Sequence, residues 1–184
     1  MLSPFRRQKI THFFTLFDAD GDGYIEQRDL RRWADEIARV GGAGRGTPEY
    51  EELHALWAFT WAALEKDGSS GRDDVVGPTQ WLELCEAILS TEEGYTMVMN
   101  AIGARSFDVI DADGDGELRL EEWRAFYRAI GVDEAAATGT FVRFDADSDG
   151  RITRSETMSR LWEFFCSDDE AAPGNWFFGP LEAG

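Results

Sequence analysis

Three segments of the chain set carboxylates at alternate positions ahead of a glycine: Asp18-Ala19-Asp20-Gly21-Asp22-Gly23, Asp111-Ala112-Asp113-Gly114-Asp115-Gly116 and Asp145-Ala146-Asp147-Ser148-Asp149-Gly150. An acid closes each twelve-residue stretch: Asp29, Glu122 and Glu156. These residue types at this spacing suit one kind of chemistry, the wrapping of a hard cation in oxygen. Positions one, three and five supply carboxylates, glycine at six allows a sharp turn, position seven lends its backbone carbonyl, and twelve contributes both oxygens of an acid. The cation selected is Ca2+, and three ions are expected. The ligand sets are Asp18, Asp20, Asp22, the Tyr24 carbonyl, Glu26 and Asp29; then Asp111, Asp113, Asp115, the Glu117 carbonyl and Glu122; then Asp145, Asp147, Asp149, the Arg151 carbonyl and Glu156.

The three sets differ. At position nine, Arg119 is too long and of the wrong charge to ligate, so a water is expected there, whereas Thr153 can hold a bridging water. The first set closes with aspartate, one methylene shorter than glutamate. Two outcomes stay open for it: weaker or single-oxygen coordination with greater tolerance of six-coordinate Mg2+, or a relaxed loop that binds Ca2+ like the others.

Loops of this kind are the EF-hand, which needs an amphipathic helix on each side. Ile10, Phe13, Phe14 and Phe17 recur at helical spacing before the first loop, and Leu30, Trp33, Ile37 and Val40 after it. Thr47-Pro48 reads as a helix cap followed by proline at the first helical position. That helix carries Leu53, Leu56, Trp57, Thr60, Trp61 and Leu64, and a further helix opens at Pro78. The intervening stretch sits where another calcium loop belongs. With Val76 at position eight, Ser69 falls first, Gly71 third, Asp73 fifth, Asp74 sixth and Gln80 twelfth, a set too poor in carboxylates to dehydrate Ca2+. The fold expected is all-α: four helix–loop–helix units in two pairs, packed into one compact globule. Short β contacts would join Ile25 to Val76 and Leu118 to Ile152. The first pair is assigned to residues 1–92, the second to 93–166, and an apolar tail packing on the core to 167–184.

The net charge of −18 belongs largely to these loops, which hold fifteen of the 36 acidic residues. Direct nucleic-acid binding is disfavoured by that charge, since no basic patch offsets it. No apolar run reaches the length of a membrane span and none resembles a signal peptide, so a cytoplasmic monomer is expected. Cys85 and Cys166 lie on apolar stretches and read as free thiols. His12 and His54 lack a neighbouring nucleophile pattern, and no catalytic constellation is found, so an enzyme is not expected.

The order of competent, silent, competent, competent loops resembles the calerythrin and sarcoplasmic calcium-binding protein family, from Phe14-Thr15-Leu16-Phe17-Asp18 to the end of the chain. Asp29, the degenerate second loop and the tail Asp168–Gly179 are similar to the bacterial, calerythrin-like branch. The resemblance implies a compact helical calcium buffer or transporter, with a sensor as the alternative. A sensor opens a groove, commonly rich in methionine, for a target protein. Here methionine is scarce, and the short connector Ser90–Gly94 lets the halves pack together, which favours a buffer. Trp176, Phe177, Phe178 and Leu181 are too apolar for a free end. They read either as a plug for a crevice in the core or as a segment that leaves when a partner helix arrives.

Overall fold

The computed structural model describes residues 1–66 and 75–181; Ser69, Gly71, Asp73 and Asp74 of the second loop lie outside them. Helix α1 (Pro4–Phe17) starts where Ser3 Oγ accepts the Arg6 N–H and proline takes the first helical position. It runs into the first loop, β1 (Ile25–Glu26) and α2 (Gln27–Val40). Helix α3 (Pro48–Lys66) is capped as expected, with Thr47 Oγ1 accepting from the Tyr50 N–H at 3.3 Å. The second unit continues with β2 (Val75–Val76) and α4 (Pro78–Ile88).

Thr91 caps α5 (Glu92–Tyr95), the helix widens into a π turn over Thr96–Asn100, and it tightens again as α6 (Ala101–Ile110). Then follow β3 (Glu117–Leu118), α7 (Leu120–Ala129), α8 (Glu134–Phe144), β4 (Ile152–Thr153) and α9 (Arg154–Cys166). Among the described residues the sheets are two antiparallel pairs: Ile25 faces Val76, and Leu118 faces Ile152. Both contacts are those that the loop numbering predicts. They tie the first unit to the second and the third to the fourth.

The four units share one core. Phe17, Trp33, Trp57 and Trp81 pack together in the first pair, and Trp123, Tyr127 and Phe144 in the second. The halves meet closely: a Cβ on Gly41, at the end of α2, would lie 1.5 Å from the Val109 carbonyl oxygen of α6. The tail then joins them. After a 3-10 turn at Pro173–Trp176, Phe177 reaches Trp123 and Phe144, while Phe178 reaches Phe13, Phe164 and Trp33. Each buried phenyl contributes about 1.5–3 kcal/mol.

Polar groups fix the tail in place. Tyr127 Oη donates to the Trp176 and Phe177 carbonyls at 3.0 Å, and His12 Nε2 lies 2.9 Å from the Phe178 carbonyl. Lys9 is fully buried, and its ammonium donates to the Glu163 and Ser167 carbonyls at the end of α9 and to Asn175 Oδ1. Burial lowers its pKa to about 8. Trp176 departs from the plug reading: it is 39% exposed, with the Arg143 guanidinium 4.8 Å over its ring. Leu181 is only partly buried against the core. Cys85 and Cys166 are free, the second only half-buried.

Candidate metal centres

Each loop begins where a helix ends and finishes where the next begins, so helix geometry sets the ligands. The turn is the same in all three. The N–H of the glycine at position six donates to the carboxylate at position one at 2.9 Å: Gly23 to Asp18, Gly116 to Asp111 and Gly150 to Asp145. Those glycines have φ of 84°, 84° and 86°, a region that a Cβ disfavours. The next N–H bonds the carboxylate at position five: Tyr24 to Asp22, Glu117 to Asp115 and Arg151 to Asp149. At position four, Gly21 and Gly114 are left-handed, and so is Ser148 at φ 60°. Ser148→Gly is expected to stabilise the protein by about 1 kcal/mol, read as an upward shift in denaturant midpoint at constant slope.

The closing acid separates the sites. In the third loop Glu122 folds inward, its two oxygens accepting from the Ala112 and Arg119 N–H groups at 3.0 and 2.9 Å. In the fourth, Glu156 does the same with Ala146 and Thr153 at 2.9 and 2.8 Å. Burial works against the Glu156 charge, yet these bonds outweigh it and lower its pKa. Among the described residues Asp29 accepts only from Glu26, at 2.8 Å, while the Ala19 N–H that a glutamate would reach turns to the Phe17 carbonyl.

Accordingly, carboxylate oxygens of Asp111, Asp113 and Glu122 lie within 4.8 Å of one another, as do those of Asp145, Asp147 and Glu156. The first cluster is Asp18, Asp20 and Asp22, without Asp29. Its fit to a cation shows in another way: Asp18 Oδ1 is buried and has no hydrogen-bond partner. A buried carboxylate oxygen without a donor is costly, and a metal ion would satisfy it.

Position twelve has a second task as the third residue of the following helix. Its side chain caps the N–H three residues earlier, a role that Asp29, Glu122 and Glu156 share with Gln80, whose Oε1 accepts from Gly77 at 3.2 Å. Gln80 in the second unit thus keeps the cap without the charge.

Three arginines that the spacing did not single out as partners of the ligands lie on them. Arg28 reaches Asp20 and Glu26 in the first loop, at 3.3 and 3.2 Å. Arg119 grips Asp113 and Asp115, the latter at 2.6 Å, and holds the Asp113 carboxyl below the usual carboxylate range. Arg151 crosses from the fourth loop to Glu117 and stands 3.7 Å from Asp115. The direction assigned to water at position nine of the third loop is therefore taken by a guanidinium bonded to two expected ligands. Among the described residues, no ion pair involves the fourth-loop carboxylates Asp145, Asp147, Asp149 or Glu156. Arg119→Thr, which copies position nine of the fourth loop, is expected to raise Ca2+ affinity at the third site several-fold at low salt, with less gain at high salt. Calorimetry at two ionic strengths measures it, and unchanged affinity at both would show the arginine to be a bystander.

Comparison with known proteins agrees with this geometry. An EF-hand domain pair matches residues 100–161 and an EF hand matches residues 10–32. Calerythrin of Saccharopolyspora erythraea is 22% identical over 89% of this chain and 94% of its own length. The sarcoplasmic calcium-binding protein beta chain of Penaeus sp. is 23% identical over 91% of each. Among solved structures, okadaic acid binding protein 2.1 superposes with a TM-score of 0.75 at 18% identity, covering 100% of this chain and 99% of the other. Among the described residues no helix is long and apolar enough to cross a membrane. The chain thus carries EF-hands at residues 10–32 and 100–161 and is similar over most of its length to calerythrin and the sarcoplasmic calcium-binding proteins.

Proposed function

We propose that the protein is a calcium buffer that binds three ions, through the ligand sets ending in Asp29, Glu122 and Glu156, and that it works as a cytoplasmic monomer without catalytic activity. The observation that supports the sites best is the inward fold of Glu122 and Glu156, which brings them beside the carboxylates at positions one and three. The first site is the weakest for Ca2+ and the most tolerant of Mg2+, because Asp29 stops short of the position that the glutamates reach. The second loop binds no ion. Support for buffering over sensing comes from the core: Phe177 and Phe178 are buried between the pairs and pack on residues of both, where a target helix would have to enter.

Calorimetric Ca2+ titration with and without millimolar Mg2+, paired with an apolar-surface dye, tests the proposal. Three bound ions, Mg2+ competition confined to the first site and little dye binding are expected. A newly exposed surface that captures the dye in Ca2+ would favour a sensor instead. Asp29→Glu is expected to raise Ca2+ affinity over Mg2+ at the first site, by letting the carboxylate reach the Ala19 N–H. An unchanged or weaker Ca2+ isotherm for that variant would sink the short-arm explanation.

A further inference from the structure

Two arginine side chains lie at the contact between the third and fourth loops. The antiparallel pairing sets Glu117 opposite Thr153 and Leu118 opposite Ile152, and one step further along it sets Arg119 opposite Arg151. Like charges directly across such a ladder repel. Yet both guanidinium groups turn onto the third loop. Arg119 binds Asp113 and stands 2.6 Å from Asp115 Oδ2. Arg151 binds Glu117, and the same Asp115 oxygen lies 3.7 Å from it. One oxygen of an expected calcium ligand is thus the shared counter-charge of two cations, one of which comes from the other loop.

The arrangement is one-sided because the two loops differ at positions seven and nine. The third carries Glu117 and Arg119 there, the fourth Arg151 and Thr153. Glu117 gives Arg151 an acid to cross to. Its carboxylate raises the Arg151 pKa, and the charge of Arg119 opposes that rise. Thr153 instead donates its hydroxyl to Glu156 at 2.8 Å, within its own loop. Among the described residues, the ion pairs at this contact fall on Asp113, Asp115 and Glu117, and none on Asp145, Asp147, Asp149 or Glu156. In their backbone the two loops match: the glycine at position six donates to position one at 2.9 Å in each, and each closing glutamate is folded inward. The difference between them is therefore one of charge. In the third loop Asp113 and Asp115 are shared with two guanidinium groups, while the carboxylates of the fourth are unclaimed.

We propose that Arg119 and Arg151 set the order in which the second pair fills: the fourth loop takes calcium first, and the third is held back by two guanidinium groups, one of them supplied by the fourth loop itself. The inference rests on the ligand sets proposed above. It makes Arg151 a determinant of affinity in a loop to which it does not belong.

The backbone N–H groups of Gly116 and Gly150 report the two loops separately, because each donates to its own position-one carboxylate. Both resonances are followed by NMR while a chelator withdraws Ca2+ from the loaded protein. Gly116 is expected to leave its loaded position first, with a midpoint at about threefold higher free Ca2+ than Gly150, the size of an exposed ion pair. Arg151→Gln keeps the backbone carbonyl and removes the charge, so it should lower the Gly116 midpoint about threefold. Arg151→Lys restores the charge and should reverse most of that gain. Should the glutamine variant fold poorly, the order of the two glycines in the natural chain decides alone. Three results would overturn the proposal: Gly150 leaving first or together with Gly116, a Gly116 midpoint unmoved by Arg151→Gln, or one lowered equally by Arg151→Lys. If neither glycine responds to Ca2+, the ligand sets themselves fail and the inference falls with them.

Discussion

Phe178→Ala is expected to lower the unfolding free energy by about 4 kcal/mol, the largest stability effect of any single change considered. The phenyl ring is 4% exposed and meets Phe13 at 4.5 Å and Phe164 at 4.9 Å between centroids. Removing it loses the transfer energy of the ring and opens a void beside an existing cavity that it lines. The walls belong to α1, α2 and α9, each held elsewhere, so they have little room to collapse inward. Urea unfolding with and without calcium measures the change, at a concentration where the calcium-free protein is still folded. Trp176→Ala is the control. Its ring is half outside, and losing the Arg143 contact should cost about 1 kcal/mol or less. If both variants lost the same small amount, the tail would be an ornament on the core and not part of it.

The second large effect concerns the closing acids. Glu156→Gln should weaken Ca2+ binding at the fourth site by more than about 100-fold, since changes to groups that only support metal ligands already cost 10–100-fold. The amide keeps the size of the side chain and one acceptor for the Thr153 N–H, so the start of α9 should survive. What is lost is a negative charge and one of two oxygens near Asp145 and Asp147. Gln80 already shows that an amide caps the helix. A competition titration against a calcium chelator reads the affinity, and circular dichroism reads the helix. The same substitution at Glu122 should weaken the third site and leave the fourth site's affinity changed by much less. If Glu156→Gln left a three-ion isotherm intact, the ligand set of the fourth loop would be wrong.

Much of this protein is written locally. The loop positions, the helix faces and the residues at position eight are short-range patterns, and so the pairing of Ile25 with Val76 and Leu118 with Ile152 follows from counting along each loop. The shorter arm of the first loop is also legible, because a missing methylene is a property of Asp29 alone. Its consequence, the Ala19 N–H turning back to Phe17, needed backbone geometry. Other features could not be read from spacing. Lys9 looks like one of several basic residues near the start of the chain, yet it is buried against the end of α9, 154 residues further along. Arg119 reads as a bad ligand, and its bonds to Asp113 and Asp115 depend on how a long side chain folds back over its own loop.

By itself, then, the sequence determined which carboxylates each described loop gathers, because residue identity and turn geometry are set within twelve consecutive residues. Only the tertiary structure decided what surrounds those loops: which arginines lean on them, how Phe177 and Phe178 bridge the two pairs, and that an apolar cavity remains between them. Those arrangements rest on contacts between segments far apart in the chain. The packing of large side chains from different helices selects such contacts, and no local pattern encodes them.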